Sequence, residues 1–422
     1  MRSRTAMSKA HASSRPAARL ILVLVLALVA GCGAQPNGSP AFSTSGSATR
    51  SAAPSTSISP GLPTAADEEL YHPTAEAVAA AAPGEIIQSV EIRAGPGTRA
   101  WFVVYGSTGL QGQPVAVSGL ILAPKAPPAA GSDYPIVAWA PGTTGIADIC
   151  SPSKIGSGAL GRLQELVAQG YIVTATDYEG LGTDGLHPYL VGISEGRSVL
   201  DSIRAAMALP EAHPGQQAVV IGLSQGGHAT LWAAQLAPSY APELPVLGAF
   251  AASPPTDMVG WETWAFEQAA AGNIDAASPA VMIFGVWNVI YDAPLDFLTE
   301  AGQTSALAVP EGCDPTMPST TPYSRDPAQI AEWRALLVAN SPGAVVTDVP
   351  IRVVSPEDDR AVDYDTQVAG VETMCAIGDT VELVAVPGGH LASLDSSAAW
   401  SAAITWIGER FAGVAVVSTC AP

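Results

Sequence analysis

Basic residues are scarce in this chain. It carries 18 Lys and Arg against 38 Asp and Glu over 422 residues, a formal charge of −20. That balance excludes a nucleic-acid surface, which needs clustered cations to neutralise phosphates. It also leaves no basic patch for anionic lipid head groups. Long apolar runs are lacking too: residues 20–30 form an apolar stretch of eleven, about half of what a bilayer-spanning helix requires. Metal-ligand spacing is missing as well. Cys150, Cys313, Cys375 and Cys420 are widely scattered, with no Cys-x-x-Cys pair and no neighbouring histidine, so a structural zinc site is not expected. There is no internal repeat.

What is present begins with a processing segment. Arg2, Arg4, Lys9, Arg15 and Arg19 precede the apolar stretch, and Val29-Ala30-Gly31-Cys32 follows it. This reads as an export signal over residues 1–31 ending in a lipobox, with Cys32 as the lipidated first residue. Ordinary cleavage near Ala34 is the alternative. Acylation would hold the chain to a membrane surface as a cell-envelope lipoprotein without a spanning helix; otherwise it is secreted. Residues 32–66 are rich in Ser, Thr, Pro, Gly and Ala, cannot bury a core, and read as a flexible tether. Residues 67–422 then suit one α/β domain carrying an insertion. In an exported chain the four remaining cysteines favour disulfides, with three pairings open. The preferred pairing joins Cys150 to Cys313, tying the insertion to the core, and Cys375 to Cys420, pinning the C-terminus.

Strand-like runs fall at 89–93, 101–105, 115–123, 135–140, 171–176, 218–221, 247–251, 351–355 and 381–386, with helical patterns at 162–168, 197–209, 227–236, 364–376 and 396–411. Early strands follow one another and later ones alternate with helices. That pattern predicts an antiparallel start feeding a mostly parallel sheet flanked by helices. Alternation breaks over about 254–343, a helical, aromatic-rich stretch containing Trp261, Trp264, Phe266, Phe284, Trp287, Tyr291 and Phe297. It is expected to form an inserted helical cap whose aromatics build its own core, with the lining of an acyl pocket as the other fate open to them.

The most informative segment runs from Ala218 to His228. A short apolar strand enters Gly222-Leu223-Ser224-Gln225-Gly226 and leaves as a helix, the strand–turn–helix context of a nucleophile elbow. The pattern alone is weak, and Gly192-Ile193-Ser194-Glu195-Gly196 also matches it. Ser194 follows only a short, proline-led approach and reads as the N-cap of the helix beginning at Arg197. Ser224 is the expected nucleophile. A serine hydroxyl needs a base, and the base an orienting carboxylate, in the chain order Ser, Asp or Glu, His. His11, His72, His187 and His213 precede the serine. His228 sits one turn along the elbow helix and suits packing or a local hydrogen bond. His390, in a loop between a strand and the last helix, is the expected base. Among Glu357, Asp358, Asp359 and Asp363, Asp359 fits best, because Asp-x-x-Val after a strand sets the carboxylate in a turn over a buried valine. The backbone N–H of Gln225, together with that of Thr143 or Thr144, would form the oxyanion hole.

With these motifs in hand the chain resembles the secretory lipase family, of lipase A type. The resemblance rests on Trp139-Ala140-Pro141-Gly142-Thr143-Thr144-Gly145 with Cys150-Ser151-Pro152-Ser153, on Asp177-Tyr178-Glu179-Gly180-Leu181-Gly182 and Leu200-Asp201-Ser202-Ile203-Arg204-Ala205. The elbow, Asp359-Arg360-Ala361-Val362 and Gly388-Gly389-His390 complete it. The match runs in order over roughly residues 70–412. It implies an α/β-hydrolase fold with a helical cap, a Ser224-Asp359-His390 triad, and cleavage of acylglycerols and simpler esters with no cofactor or metal. Pro141 departs from the pattern, since many relatives carry His there. Asp177 and Glu179 read as structural. The partner expected is a small ester or lipid. A peptidase or amidase on the same triad, and a non-catalytic lipid-binding lipoprotein, are the rival readings.

Overall fold

The computed structural model describes residues 65–156 and 159–420; the leader, Cys32 and the tether up to residue 64 lie outside them. Among the described residues nine strands form one sheet: β1 (Ile86–Ile92), β2 (Thr98–Thr108), β3 (Pro114–Pro124), β4 (Tyr134–Ala140), β5 (Ile172–Thr176), β6 (Pro214–Leu223), β7 (Val246–Ala252), β8 (Ile351–Pro356) and β9 (Val381–Val386). Their spatial order is β1-β2-β3-β5-β4-β6-β7-β8-β9. The pairs β1–β2, β2–β3 and β3–β5 are antiparallel, and every later pair is parallel. This is the antiparallel start and mostly parallel remainder that the strand spacing predicts.

The helices are α1 (Ala75–Ala80), α2 (Pro152–Ile155), α3 (Ala159–Ala168), α4 (Gly192–Met207), α5 (Gln225–Tyr240), α6 (Met258–Ala270), α7 (Ser278–Tyr291), α8 (Glu300–Ala308), α9 (Ala331–Asn340), α10 (Tyr364–Ile377) and α11 (Ser397–Phe411). The period of two along the strands divides the core. On β4, Ile136, Ala138 and Ala140 face a cluster shared with α4, α5 and α10. Val137 and Trp139 face the opposite cluster, shared with α3 and α11. Continuous apolar runs are stable here because both faces are covered, and each buried Val or Leu contributes about 1.5–3 kcal/mol.

Between β7 and β8 the chain leaves the sheet. The four helices α6 to α9 carry a separate cluster built on Trp261, Phe284, Trp287, Phe297 and Trp333. Trp287 and Trp333 stack at 6.0 Å between centroids, and Phe284 meets Trp333 edge-on at 5.2 Å. The aromatics of this insertion therefore pack mainly on one another. Trp264, Phe266 and Tyr291 are partly buried at its margin.

Disulfides join Cys150 to Cys313 and Cys375 to Cys420, the preferred pairing of the three. One correction concerns Ser194. The helix begins at Gly192 with Val191 as its N-cap, so Ser194 lies inside the first turn. Its hydroxyl donates to the Glu179 carboxylate. The proline-led approach is too short to be a strand, and α4 takes in both glycines of the run, where a Cβ would meet Trp232.

Candidate active site

The parallel strands β4, β6, β7 and β8 end on one edge of the sheet, and the candidate residues hang from those ends. Ser224 joins β6 to α5 at φ 59° and ψ −118°, a conformation that costs a non-glycine residue about 1–3 kcal/mol. Its flanking glycines are required by contact. A Cβ on Gly222 would lie 2.2 Å from the Gly226 carbonyl oxygen, and one on Gly226 would lie 1.9 Å from that of Ala140. Two neighbouring bonds then fix the edge. Ser224 N–H donates to Ala252 O at 2.8 Å, and the Ser253 hydroxyl donates to His390 O at 2.7 Å. The end of β7 thus carries the Ser224 backbone on one residue and the His390 backbone on the next.

Asp359 is buried in the loop after β8. Its Oδ1 accepts from the backbone N–H groups of Ala361 at 2.8 Å and Val362 at 2.9 Å, with Val362 buried beneath as expected. Its Oδ2 accepts from Gln367 Nε2 at 3.2 Å and lies 2.8 Å from His390 Nδ1. A carboxylate already taking three N–H donors acts as an acceptor, so His390 Nδ1 donates to it. The imidazole is partly exposed and the carboxylate is not. The structure brings Asp359 and His390 into direct contact. Among the described residues no hydrogen bond joins the Ser224 hydroxyl to His390; their common link is the end of β7.

The loop after β4 abuts the elbow. A Cβ on Gly142 would lie 3.2 Å from Leu223 O and 4.0 Å from Ser224 Cβ. Thr143 is exposed, and its hydroxyl lies 2.9 Å from the Tyr189 hydroxyl. The Tyr178 hydroxyl donates to Pro141 O at 2.8 Å, so the proline carbonyl is held although the residue has no N–H. Gln225 opens α5, and the N–H groups of a helix's first turn lack intrahelical acceptors. The Cys150–Cys313 bond closes this loop against the insertion, reinforced by Ile146 and Ala147 N–H groups that approach Gly312 O at 3.3 Å. A cavity of about 630 Å³ opens against His390, lined also by Asp358, Arg360, Ala361 and Gly389; Ser224 is outside that lining.

Other polar residues near the elbow are legible only in three dimensions. His228 is buried between Glu195 and Asn340 O, held by hydrogen bonds that are long-range in sequence where packing or a local bond is expected. Asp177 accepts from Ser118, Ser153 and the Ser153 N–H, and burial raises its pKa to about 6. Glu179 is likewise pushed up by burial. Both are structural, as expected. Tyr189, His187 and Glu195 were not anticipated as neighbours of the elbow.

Comparison with known proteins places this architecture. Residues 159–285, which include the elbow, match the family model described as secretory lipase. Lipase A of Moesziomyces aphidis is 41% identical over 81 residues, which are 19% of this chain and 17% of that one. A protein of Mycobacterium tuberculosis named "Probable inactive lipase MT1628" is 29% identical over 221 residues, 48% of each chain. The chain thus spans half or less of the length of these curated relatives. Among solved structures, Candida antarctica lipase A in its closed state superposes with a TM-score of 0.70 at 21% identity, covering 85% of this chain and 89% of that one. The rice cell wall degrading esterase of Xanthomonas oryzae gives 0.61 at 20% identity, covering 77% and 97%. The fold is that of an α/β-hydrolase, and over residues 159–285 the chain is similar to the secretory lipases.

Proposed function

From that kinship as premise, we propose that the chain is an exported serine carboxylic-ester hydrolase acting on acylglycerol-like or simpler esters. The observation that carries the reading is the His390–Asp359 contact beside an elbow serine in a strained backbone conformation. With Nδ1–H committed to Asp359, Nε2 of His390 is the base that takes the Ser224 proton as Oγ attacks the ester carbonyl. The tetrahedral oxyanion is met by the N–H of Gln225 and that of Thr143 or Thr144, a donor of this kind being worth about 3 kcal/mol of barrier. Collapse expels the alcohol, protonated by His390, and leaves an acyl-Ser224. A water deprotonated by the same histidine then releases the carboxylic acid. The β7–β8 insertion is the cap over this edge. Residues 1–31 act as the export signal, Cys32 as the lipid-bearing residue and the following segment to residue 66 as a tether, holding the hydrolase at the envelope surface.

The Mycobacterium relative named as inactive gives weight to one rival, a hydrolase fold that only binds apolar ligands. The His390–Asp359 contact, with the base held by a buried carboxylate on the same edge of the sheet as Ser224, supports catalysis instead. The test is turnover of a short p-nitrophenyl ester together with fluorophosphonate labelling. Wild type is expected to turn over and label, and Ser224→Ala to lose at least about four orders of magnitude in kcat while keeping its circular dichroism. A folded Ser224→Ala variant with most of its activity would remove Ser224 from the mechanism. A wild type that neither labels nor turns over would favour the binder.

A further inference from the structure

The second Gly-x-Ser-x-Gly run is not used as a nucleophile site, yet it packs directly on the helix that follows the first. A Cβ on Gly192 would fall 1.9 Å from Trp232 Cε2, and one on Gly196 would fall 2.9 Å from the Trp232 carbonyl carbon. Its glycines therefore serve the close approach of α4 to α5. What that approach delivers is Glu195, fully buried, to the first turn of the elbow helix.

There the carboxylate is surrounded by donors. Oε1 accepts from Gln225 Nε2 at 2.8 Å and from Leu190 N–H at 2.9 Å, and Oε2 lies 2.7 Å from His228 Nδ1. The other N–H of the Gln225 amide points to His187 Nε2 at 2.8 Å. His187 Nδ1 lies 3.0 Å from Glu179 O, which can only accept, so Nδ1 bears the hydrogen and Nε2 is an acceptor. On the far side His228 Nε2 lies 2.8 Å from Asn340 O and accepts from Trp232 Nε1 at 3.1 Å. Both amide hydrogens of Gln225 are consequently held by fixed, buried acceptors.

We infer that Glu195 is a positioning residue for the oxyanion site: by clamping the Gln225 side chain it fixes the direction of the Gln225 backbone N–H. The inference rests on the reading of Ser224 as nucleophile and of that N–H as an oxyanion donor. Gln225 is the first residue of α5, where no intrahelical acceptor holds the N–H. A first-turn residue can rock about its own dihedrals unless its side chain is anchored, and a donor misdirected by a fraction of an ångström loses most of its preference for the transition state. The clamp acts on charge that exists only in the transition state, so its loss is read in kcat and not in KM.

The experiment compares wild type, Glu195→Ala, Glu195→Gln and Gln225→Met on a soluble p-nitrophenyl ester, with Ser224→Ala as blank and circular dichroism on each. Glu195→Ala is expected to lower kcat about tenfold to hundredfold with KM within about threefold, and to weaken a boronic-acid transition-state analogue by the same factor as kcat. Glu195→Gln keeps the acceptor for Gln225 and Leu190 and offers His228 Nδ1 a donor, so kcat should return to within about threefold of wild type. Gln225→Met keeps the backbone N–H, deletes the clamp, and should match Glu195→Ala; it carries the test if Glu195→Ala does not fold. A folded Glu195→Ala or Gln225→Met variant with wild-type kcat, beside an inactive Ser224→Ala, overturns the clamp alone. An active Ser224→Ala overturns the reading beneath it, and the clamp with it.

Discussion

Glu262 on α6 poses the sharpest energetic question among single residues. Both of its carboxyl oxygens are buried without a hydrogen-bond partner, as is the hydroxyl of Tyr323. Burial first, and Asp326 second, push its pKa well above the carboxylate range. A group whose folded pKa is raised contributes stability that is complete below its unfolded value near 4.5 and lost as pH rises toward the folded value. Folding therefore favours the protonated side chain and leaves polar atoms unpaired among the described residues. Glu262→Met, close in volume, should stabilise the protein by about 1–3 kcal/mol at pH 7, and the gain should shrink below about pH 4.5, where the unfolded chain is protonated too. Urea unfolding at both pH values checks this; an unchanged or lower stability at pH 7 would mean that Glu262 is paired in solution. No sequence pattern marks such a residue, because nothing local says that α6 turns this side inward. The triad candidates differ in that respect. Ser224 is marked by glycines forced on the elbow by contact, and Asp359 by a strand, a turn and a buried valine. Glu195 and His187 lie 30 and 38 positions from the glutamine they hold, so only the packing of α4 on α5 reveals them.

Elements were more legible than residues. Strand periodicity fixes each strand of the sheet because apolar runs such as 136–140 must be buried on both faces. Helix starts were read less well. α4 opens at Gly192, ahead of the expected Arg197, since glycine has poor intrinsic helix propensity and its value here is the room it leaves for Trp232. The two helices are consequently sensitive at one atom. Gly192→Ala sets a Cβ 1.9 Å from the Trp232 ring, and overpacking of this kind costs about 1–3 kcal/mol. The same change at Gly161 on α3, where a Cβ meets nothing within 4 Å among the described residues, should be neutral or stabilising by up to about 1 kcal/mol through helix propensity. Thermal unfolding of the two variants side by side tests the seam. Equal effects would mean that α4 and α5 adjust without cost. Because the seam carries Glu195, Gly192→Ala should also lower turnover, whereas Gly161→Ala should not.

Across the whole molecule the two disulfides divide the work of holding the fold from that of shaping the site. Cys375–Cys420 closes 45 positions and keeps the final segment on the edge strand β9, where Thr419 N–H donates to Val381 O at 2.9 Å. Cys150–Cys313 closes 163 positions and joins the loop after β4 to the β7–β8 insertion. Chain-entropy arguments assign about 4 kcal/mol to the shorter loop and about 5 kcal/mol to the longer, against about 2–4 kcal/mol typically found for a disulfide. Stability alone would hardly separate them, because native strain and residual unfolded structure blur that difference. Function should. Gly145 packs so closely on Cys313 that a Cβ there would lie 2.4 Å from its Cα, so opening this bond frees the insertion from the loop that faces Ser224. In denaturant unfolding both double variants, Cys150→Ala with Cys313→Ala and Cys375→Ala with Cys420→Ala, should lose about 2–4 kcal/mol. Ester turnover at a temperature where both stay folded should fall at least about tenfold for the first pair and stay within about twofold for the second, by the cost of a misplaced oxyanion donor. Equal turnover in the two would show that the loop after β4 keeps its shape without the insertion, and that the Cys150–Cys313 bond serves the fold alone.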